Sequence, residues 1–252
     1  MDRFSAVWLS HSSISAFKHC PRSYYLGSLY RDPQSGHKIG LITPSLALGS
    51  AVHEVLESLS ILPTSDRFII SLIDRFQSVW QKFSGHKGGF SDAATESRSK
   101  EKGEEMLRRV MQHPGPLERK AVKIGQDLPQ YWLSEADNLM LCGKLDWLEY
   151  LECQTYPVKK ASYWHIAKDD MPIEKSLPDL TQSHELVLQI GKEIKLARAL
   201  NRFKCPQGEQ GCKYCLPYEK ILDGKATFVG EGNYHTDLYA DFTSTLPKSE
   251  IL

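Results

Sequence analysis

At 252 residues the chain can bury a substantial core, as one large domain or two small ones. Its formal net charge of zero excludes a global field for nucleic acid, so any such binding has to come from local basic patches. No apolar run approaches the ~18 residues of a membrane span and the first residues lack a signal-peptide apolar core, so a membrane partner is not expected and the cytoplasm is the default compartment. Six cysteines in that setting are expected as thiols or metal ligands rather than disulfides.

Taken in order, residues 10–30 read as a helix capped by Ser10, Ser12 or Ser13, with Pro21 suited to a fresh helical start after Cys20. A loop containing proline and glycine is expected from Arg31 to Pro44, then a helix over 48–59 with Val52, Leu56 and Leu59 on one face. The apolar periodicity of 66–83 predicts a third helix, with Phe68, Ile69, Leu72, Ile73 and Phe76 toward the core. A charged helix over 95–112 ends at Pro114-Gly115-Pro116. From there the pattern shortens to strand-like runs over 119–151, notably Leu139 to Leu151, and again at Lys160 to Ala167. A long helix is expected over 181–203, then a cysteine loop and a polar tail with weak strand signals at Ala226–Val229 and Asp237–Ala240. Helices, strands, a helix and a cysteine knuckle in that order suggest α/β with one main core.

The cysteines carry the strongest chemical signal. Cys212 and Cys215, two residues apart, have the spacing that lets two thiolates grip one metal from a turn. Cys205 adds a third ligand after a loop that can bend back at Pro206, Gly208 and Gly211. Of the others, Cys142 reads as a small core residue in an apolar strand and Cys153 has no partner spacing, so Cys20 is the best fourth ligand. The competing reading, ordinary core thiols, explains a loop-borne Cys-x2-Cys in a polar setting poorly. Spacing alone leaves zinc and iron–sulfur open.

His53 lies on a helix four residues after Gly49, and Asp146 on an expected strand three residues after Gly143. A lone helical histidine is more often a surface or core residue than a ligand, whereas an aspartate in a strand is disfavoured and needs a partner. Cys20-Pro21-Arg22-x-Tyr24-Tyr25, then Gly49-x-x-x-His53, then Gly143-Lys144-Leu145-Asp146, then the terminal cysteines, in that order, resembles the PD-(D/E)XK nuclease superfamily, and within it the RecB-like and AddB-like exonucleases with an iron–sulfur staple. The resemblance covers roughly residues 8–222. It implies a restriction-endonuclease-like core, a central mixed sheet flanked by helices, preceded by N-terminal helices and followed by the cysteine knuckle. It divides the chain into one nuclease domain over 1–222 (N-terminal helices 8–60, a helical insertion 61–115, sheet core and helix 116–203, knuckle 204–222) and a tail over 223–252.

The same resemblance implies phosphodiester hydrolysis with Mg²⁺ or Mn²⁺ held by His53 and Asp146, with Glu149 or Glu152 as a third carboxylate. It further implies a [4Fe–4S] cluster, with Zn²⁺ as the alternative, on Cys20, Cys205, Cys212 and Cys215. Where the family has a further cysteine six residues after Cys-x2-Cys this chain has Ile221, and Cys205 takes its place. The implied partner is DNA, single-stranded or as duplex ends, beside a helicase or a CRISPR-adaptation protein. Arg22, Tyr25, Lys144, Lys195 and Arg202 are the candidate contacts to it, against the competing reading of core aromatics and a solvated basic face.

One departure is plain in the sequence. The family's next strand carries Asp or Glu, any residue, then Lys, but the positions two before Lys159 and Lys160 hold Pro157 and Val158. Acid-x-Lys occurs at Glu118, Glu193 and Asp223, none of them on a strand after Asp146. The expectation is that a core strand and helix have been lost between Glu152 and Val158.

Overall fold

The computed structural model describes residues 4–121, 128–149 and 158–243. In chain order, β1 (Val7–Leu9) leads into α1 (His11–His19) and α2 (Pro21–Tyr24), and β2 (Lys38–Leu41) precedes α3 (Pro44–Glu57), α4 (Leu72–Trp80) and α5 (Ala93–Gln112). Then come β3 (Gln130–Ser134), β4 (Leu139–Cys142), β5 (Ala161–Tyr163), β6 (Ile173–Lys175), α6 (Leu180–Ala199), α7 (Leu216–Leu222), β7 (Thr227–Gly232) and β8 (Thr236–Ala240). This is the mixed α/β class expected, with the strands shared among two three-stranded mixed sheets and a hairpin. Glu152, Cys153 and the junction at 152–158 lie outside the described residues.

The described residues group into two compact units. The first takes the described parts of Met1–Leu41, Gly125–Lys144 and Pro178–Asp241. One of its two three-stranded sheets sets β4 between β1, parallel to it, and β3, antiparallel. Ile190 and Ile194 of α6 are buried against this sheet in a cluster with Leu9, Leu133 and Leu139, each such side chain contributing about 1.5–3 kcal/mol by burial. Gly191 permits the close approach, since a Cβ there would meet Leu9 Cδ1 at 2.7 Å. Ser10 caps α1 reciprocally with Ser13, and Pro21 opens α2 at its first position, where its missing N–H costs nothing.

The second sheet of this unit, in the order β2-β8-β7, corrects the loop expected from Arg31 to Pro44. Lys38–Leu41 pairs in parallel with β8, some two hundred residues along the chain. Its Ile39 is buried, and the pairing partner was beyond any local pattern. The tail's strand signals are β7 and β8, which pair antiparallel.

The second unit takes the described parts of Ile42–Ile124, Leu145–Leu177 and Phe242–Leu252. Helices α3, α4 and α5 enclose a core of Leu48, Val55, Phe76, Trp80, Leu107 and Val110. The helix expected over 66–83 is shorter: Ser71 caps α4, and Ile69 and Ile70, one of them read as core, are exposed. Arg67 is buried where the longer helix was expected, and its Nη1 donates to the backbone oxygens of Leu117 at 2.5 Å and Arg119 at 2.6 Å. Those bonds fold residues 64–71 back onto the turn after α5 and stop the helix.

Candidate functional site

The first constellation lies in the first unit. Cys20 is the hinge residue between α1 and α2, extended at φ −163° and ψ 108°, and its backbone N–H closes α1 on Ala16. Cys212 and Cys215 flank one tight turn, in which the Cys215 N–H donates to the Cys212 carbonyl at 3.1 Å and the Cys212 N–H points at Cys215 Sγ, 3.2 Å away. Gly211, at φ 73°, supplies the left-handed residue the loop needs to enter this turn. The sulfurs of Cys20, Cys205, Cys212 and Cys215 all lie within 4.8 Å of one another. Cys20, Cys212 and Cys215 are buried, and Cys205 is half-buried at the rim.

Three contacts that need no metal draw the same two chain segments together. Arg22 of α2 grips Glu219 of α7 with two hydrogen bonds, at 2.6 Å and 3.1 Å. The His19 ring lies 4.6 Å from that of Tyr214, tilted by 34°, inside the Cys-x2-Cys turn. Gly27 lies so close to α7 that a Cβ would meet the Tyr218 hydroxyl at 2.7 Å. Burial pushes the Cys20 thiol up to about 12, with its sulfur neighbours adding to the rise. Burial acts the same way on Cys212, but the N–H groups of Cys215 and Tyr214, together with hydrogen bonds from Cys20 and Cys205, bring that thiol down to about 7. Four crowded sulfur donors, one already close to ionising, fit a metal cation, which supplies the positive charge that burial otherwise withholds.

The second constellation lies in the second unit. His53 is on α3, which starts earlier than its periodicity suggests because Thr43 caps it and Pro44 occupies its first turn. Asp146 was expected within a strand, but β4 ends at Cys142 and Asp146 sits at a bend beyond it. Its partner strand β3 begins at Gln130, opposite Cys142, and the ladder ends on a last backbone bond from the Gly143 N–H to the Pro129 carbonyl at 3.1 Å. What fixes the segment is Trp147, which packs on the helical core with its ring 5.0 Å under the Arg67 guanidinium. His53 Nδ1 stands 3.6 Å from Asp146 Oδ1, with side chains 63% and 73% exposed. One imidazole and one carboxylate open to water fit part of the sphere of a hard divalent cation, which completes it with water and phosphate oxygens. At Glu149, Arg119 donates to Oε1 at 3.0 Å and the backbone bridges to Ala121, while the buried Oε2 has no hydrogen-bond partner among the described residues.

The candidate nucleic-acid contacts are dispersed. Arg22 is committed to Glu219, and Tyr25 stacks on Phe203 at 5.0 Å. Lys195 donates to the backbone oxygen of Asp137 at 2.6 Å, and Lys192 pairs with the Asp137 carboxylate. Lys144 and Arg202 are exposed.

A further group escaped the sequence reading. At the β2-β8-β7 sheet of the first unit, His37, Glu231 and Asp237 bring ligand atoms within 4.8 Å of one another. Asp237 is buried on β8; His37 Nδ1 donates to its Oδ1 at 2.8 Å and the Ser35 hydroxyl to its Oδ2 at 2.9 Å. The test that flagged Asp146, a carboxylate in a strand needing a partner, flags Asp237 equally well.

The family model of the PD-(D/E)XK nuclease superfamily matches residues 8–158. The chain belongs to that superfamily, whose nucleases typically depend on a divalent metal. No curated protein and no solved structure matches it. Among the described residues, no helix is long and apolar enough to cross a membrane.

Proposed function

We propose that the chain is a DNA-processing protein of the RecB-like branch of its superfamily, a metal-dependent exonuclease in which His53 and Asp146 hold Mg²⁺ or Mn²⁺. The observation that carries this reading is the approach of His53 Nδ1 to Asp146 Oδ1, 3.6 Å, in a chain of this superfamily. A divalent cation bound there supplies Lewis-acid polarisation and charge neutralisation at a phosphate. Asp146 gives the negative charge that attracts the cation, and His53, neutral when it ligates, orients it without adding positive charge. Their exposure leaves room for a DNA strand to reach them. Residues 1–222 then act as one nuclease domain with 223–252 as a tail, since the family match runs through both compact units. In this reading Cys20, Cys205, Cys212 and Cys215 hold a structural metal centre, and single strands or duplex ends delivered by a helicase or a CRISPR-adaptation protein are the natural substrates.

A second reading has its own support. No Asp/Glu-x-Lys triplet follows Asp146 on a strand, and one oxygen of Glu149 is paired with Arg119. Both favour a non-catalytic DNA-binding or scaffold module descended from the nucleases. A manganese-supplemented cleavage assay on single-stranded and blunt duplex DNA separates the two. Slow cleavage by the wild type that disappears in Asp146→Ala is the expected result; binding of DNA without cleavage by either protein moves the chain to the second reading.

A further inference from the structure

The distances among the four cysteine sulfurs discriminate between the centres this ligand set can hold. One zinc ion with zinc–sulfur bonds of about 2.3 Å at tetrahedral angles sets its four sulfurs about 3.8 Å apart. In a [4Fe–4S] cube each cysteine sulfur stands outside its own iron corner, so the four are separated by roughly 6 Å. Here no pair exceeds 4.8 Å, and Cys212 Sγ and Cys215 Sγ are 3.8 Å apart. That edge matches the single-ion tetrahedron and falls well short of the cube.

The surroundings hold the sulfurs at this spacing. The Cys212 N–H that lies 3.2 Å from Cys215 Sγ has to let go if the pair is to spread to the cube's separation. Cys20 cannot retreat easily, because its backbone both ends α1 and begins α2, and Arg22 two residues on is pinned to Glu219. On the other side, Gly211 brings the loop within contact of Leu216 and Cys215 Sγ, so the wall of the knuckle is already closed. The iron–sulfur cluster implied by the family resemblance therefore does not fit these sulfurs.

We infer that the cysteine centre is a mononuclear tetrathiolate site for zinc. The inference rests on the reading of these four cysteines as the chain's structural metal centre and specifies its metal. Uptake transfers the thiol protons to solvent and changes no oxidation state, so it calls for no oxidant, reductant or sulfide donor. Zinc has no redox chemistry, so the staple carries no electron, and DNA processing by this chain is indifferent to reducing potential so long as the thiolates stay bound.

The test uses the full chain, purified anaerobically from cells supplied with both iron and zinc, then offered ferrous iron, inorganic sulfide and a thiol reductant in excess. Metal content, acid-labile sulfide, visible absorption and metal-edge X-ray absorption are read before and after. The expected result is one zinc per chain throughout, no labile sulfide, no brown colour, and sulfur neighbours at about 2.3 Å with no second metal nearby. Assembly of about four irons and four sulfides per chain in place of zinc overturns the inference while leaving the staple intact. A single iron without sulfide also overturns the choice of zinc. A protein that retains no metal overturns the staple reading itself. Cobalt exchanged into the site reports the ligand set: Cys205→Ser, at the half-buried rim, should shift its tetrahedral thiolate bands and Cys142→Ala should not, and the reverse pattern contradicts the four ligands named.

Discussion

The cysteine knuckle and the His53–Asp146 pair are both candidate metal sites, yet they are built on opposite principles. The knuckle is buried and over-determined: four sulfurs, an Arg22–Glu219 clamp, a tilted His19–Tyr214 ring contact and a glycine-permitted approach of Gly27 to Tyr218 all join the same two segments. The pair is exposed, offers two ligands among the described residues, and is held from behind by α3 and by Trp147 under Arg67. A buried multidentate centre contributes its binding energy to folding, whereas an exposed two-ligand centre contributes almost nothing to folding and leaves its cation free to meet a substrate. On the proposed reading, the knuckle maintains the fold and the exposed pair does the chemistry.

The largest effect should come from breaking the knuckle. Cys212→Ser removes one of the ligands and leaves three crowded thiolates, and should destabilise the first unit by about 5 kcal/mol or more, read by urea unfolding with and without chelator. If the variant unfolds at the wild-type midpoint, the knuckle is not a structural centre and the contrast fails. Next is the support behind the exposed pair. Phe76 is fully buried between α3, α4 and α5, so Phe76→Ala should cost about 3–5 kcal/mol in thermal or denaturant unfolding. The metal content of the knuckle, which belongs to the other unit, should not change.

Asp146→Ala sharpens the contrast from the other side. With its side chain 73% exposed, its loss should move stability by no more than about 0.5 kcal/mol while abolishing manganese binding in a calorimetric titration. A large loss of stability would mean that Asp146 is structural.

The smallest effect concerns the third cluster. The hydrogen bond to Asp237 raises the His37 pKa above its ordinary value, so protonated His37 is favoured in the folded protein. Its stabilising contribution is complete below the unfolded value of about 6.5 and is lost as pH rises through the folded value. Unfolding midpoints should therefore fall between mildly acidic and mildly alkaline pH, and His37→Gln should flatten that part of the profile. A variant whose profile overlays the wild type removes His37 from the account.

What the sequence made legible was local. The Ser10 cap, the restart at Pro21 and the tight Cys212–Cys215 spacing are written in adjacent residues, and the structure carries all three. The loop around Gly208 and Gly211 was enough to suggest that Cys205 bends back beside them. What escaped was non-local or short. β2 looks like loop because Pro33 and Gly36 precede it and its partner β8 lies near the other end of the chain. α7 is only seven residues and opens on Leu216-Pro217, too brief to show a periodic face. Asp146 left its strand because register with β3 ended at Cys142, a fact of pairing that no run of apolar residues reveals. The His37–Asp237 contact shares the fate of β2, on whose sheet it sits.

The most direct test of the central contrast is metal content after a mild chelator challenge of protein loaded with zinc and manganese. The account predicts that one zinc per chain survives and that all manganese is lost, with manganese uptake restored on dialysis in the wild type but not in Asp146→Ala. Simultaneous loss of both metals, or manganese uptake that ignores Asp146, would contradict it.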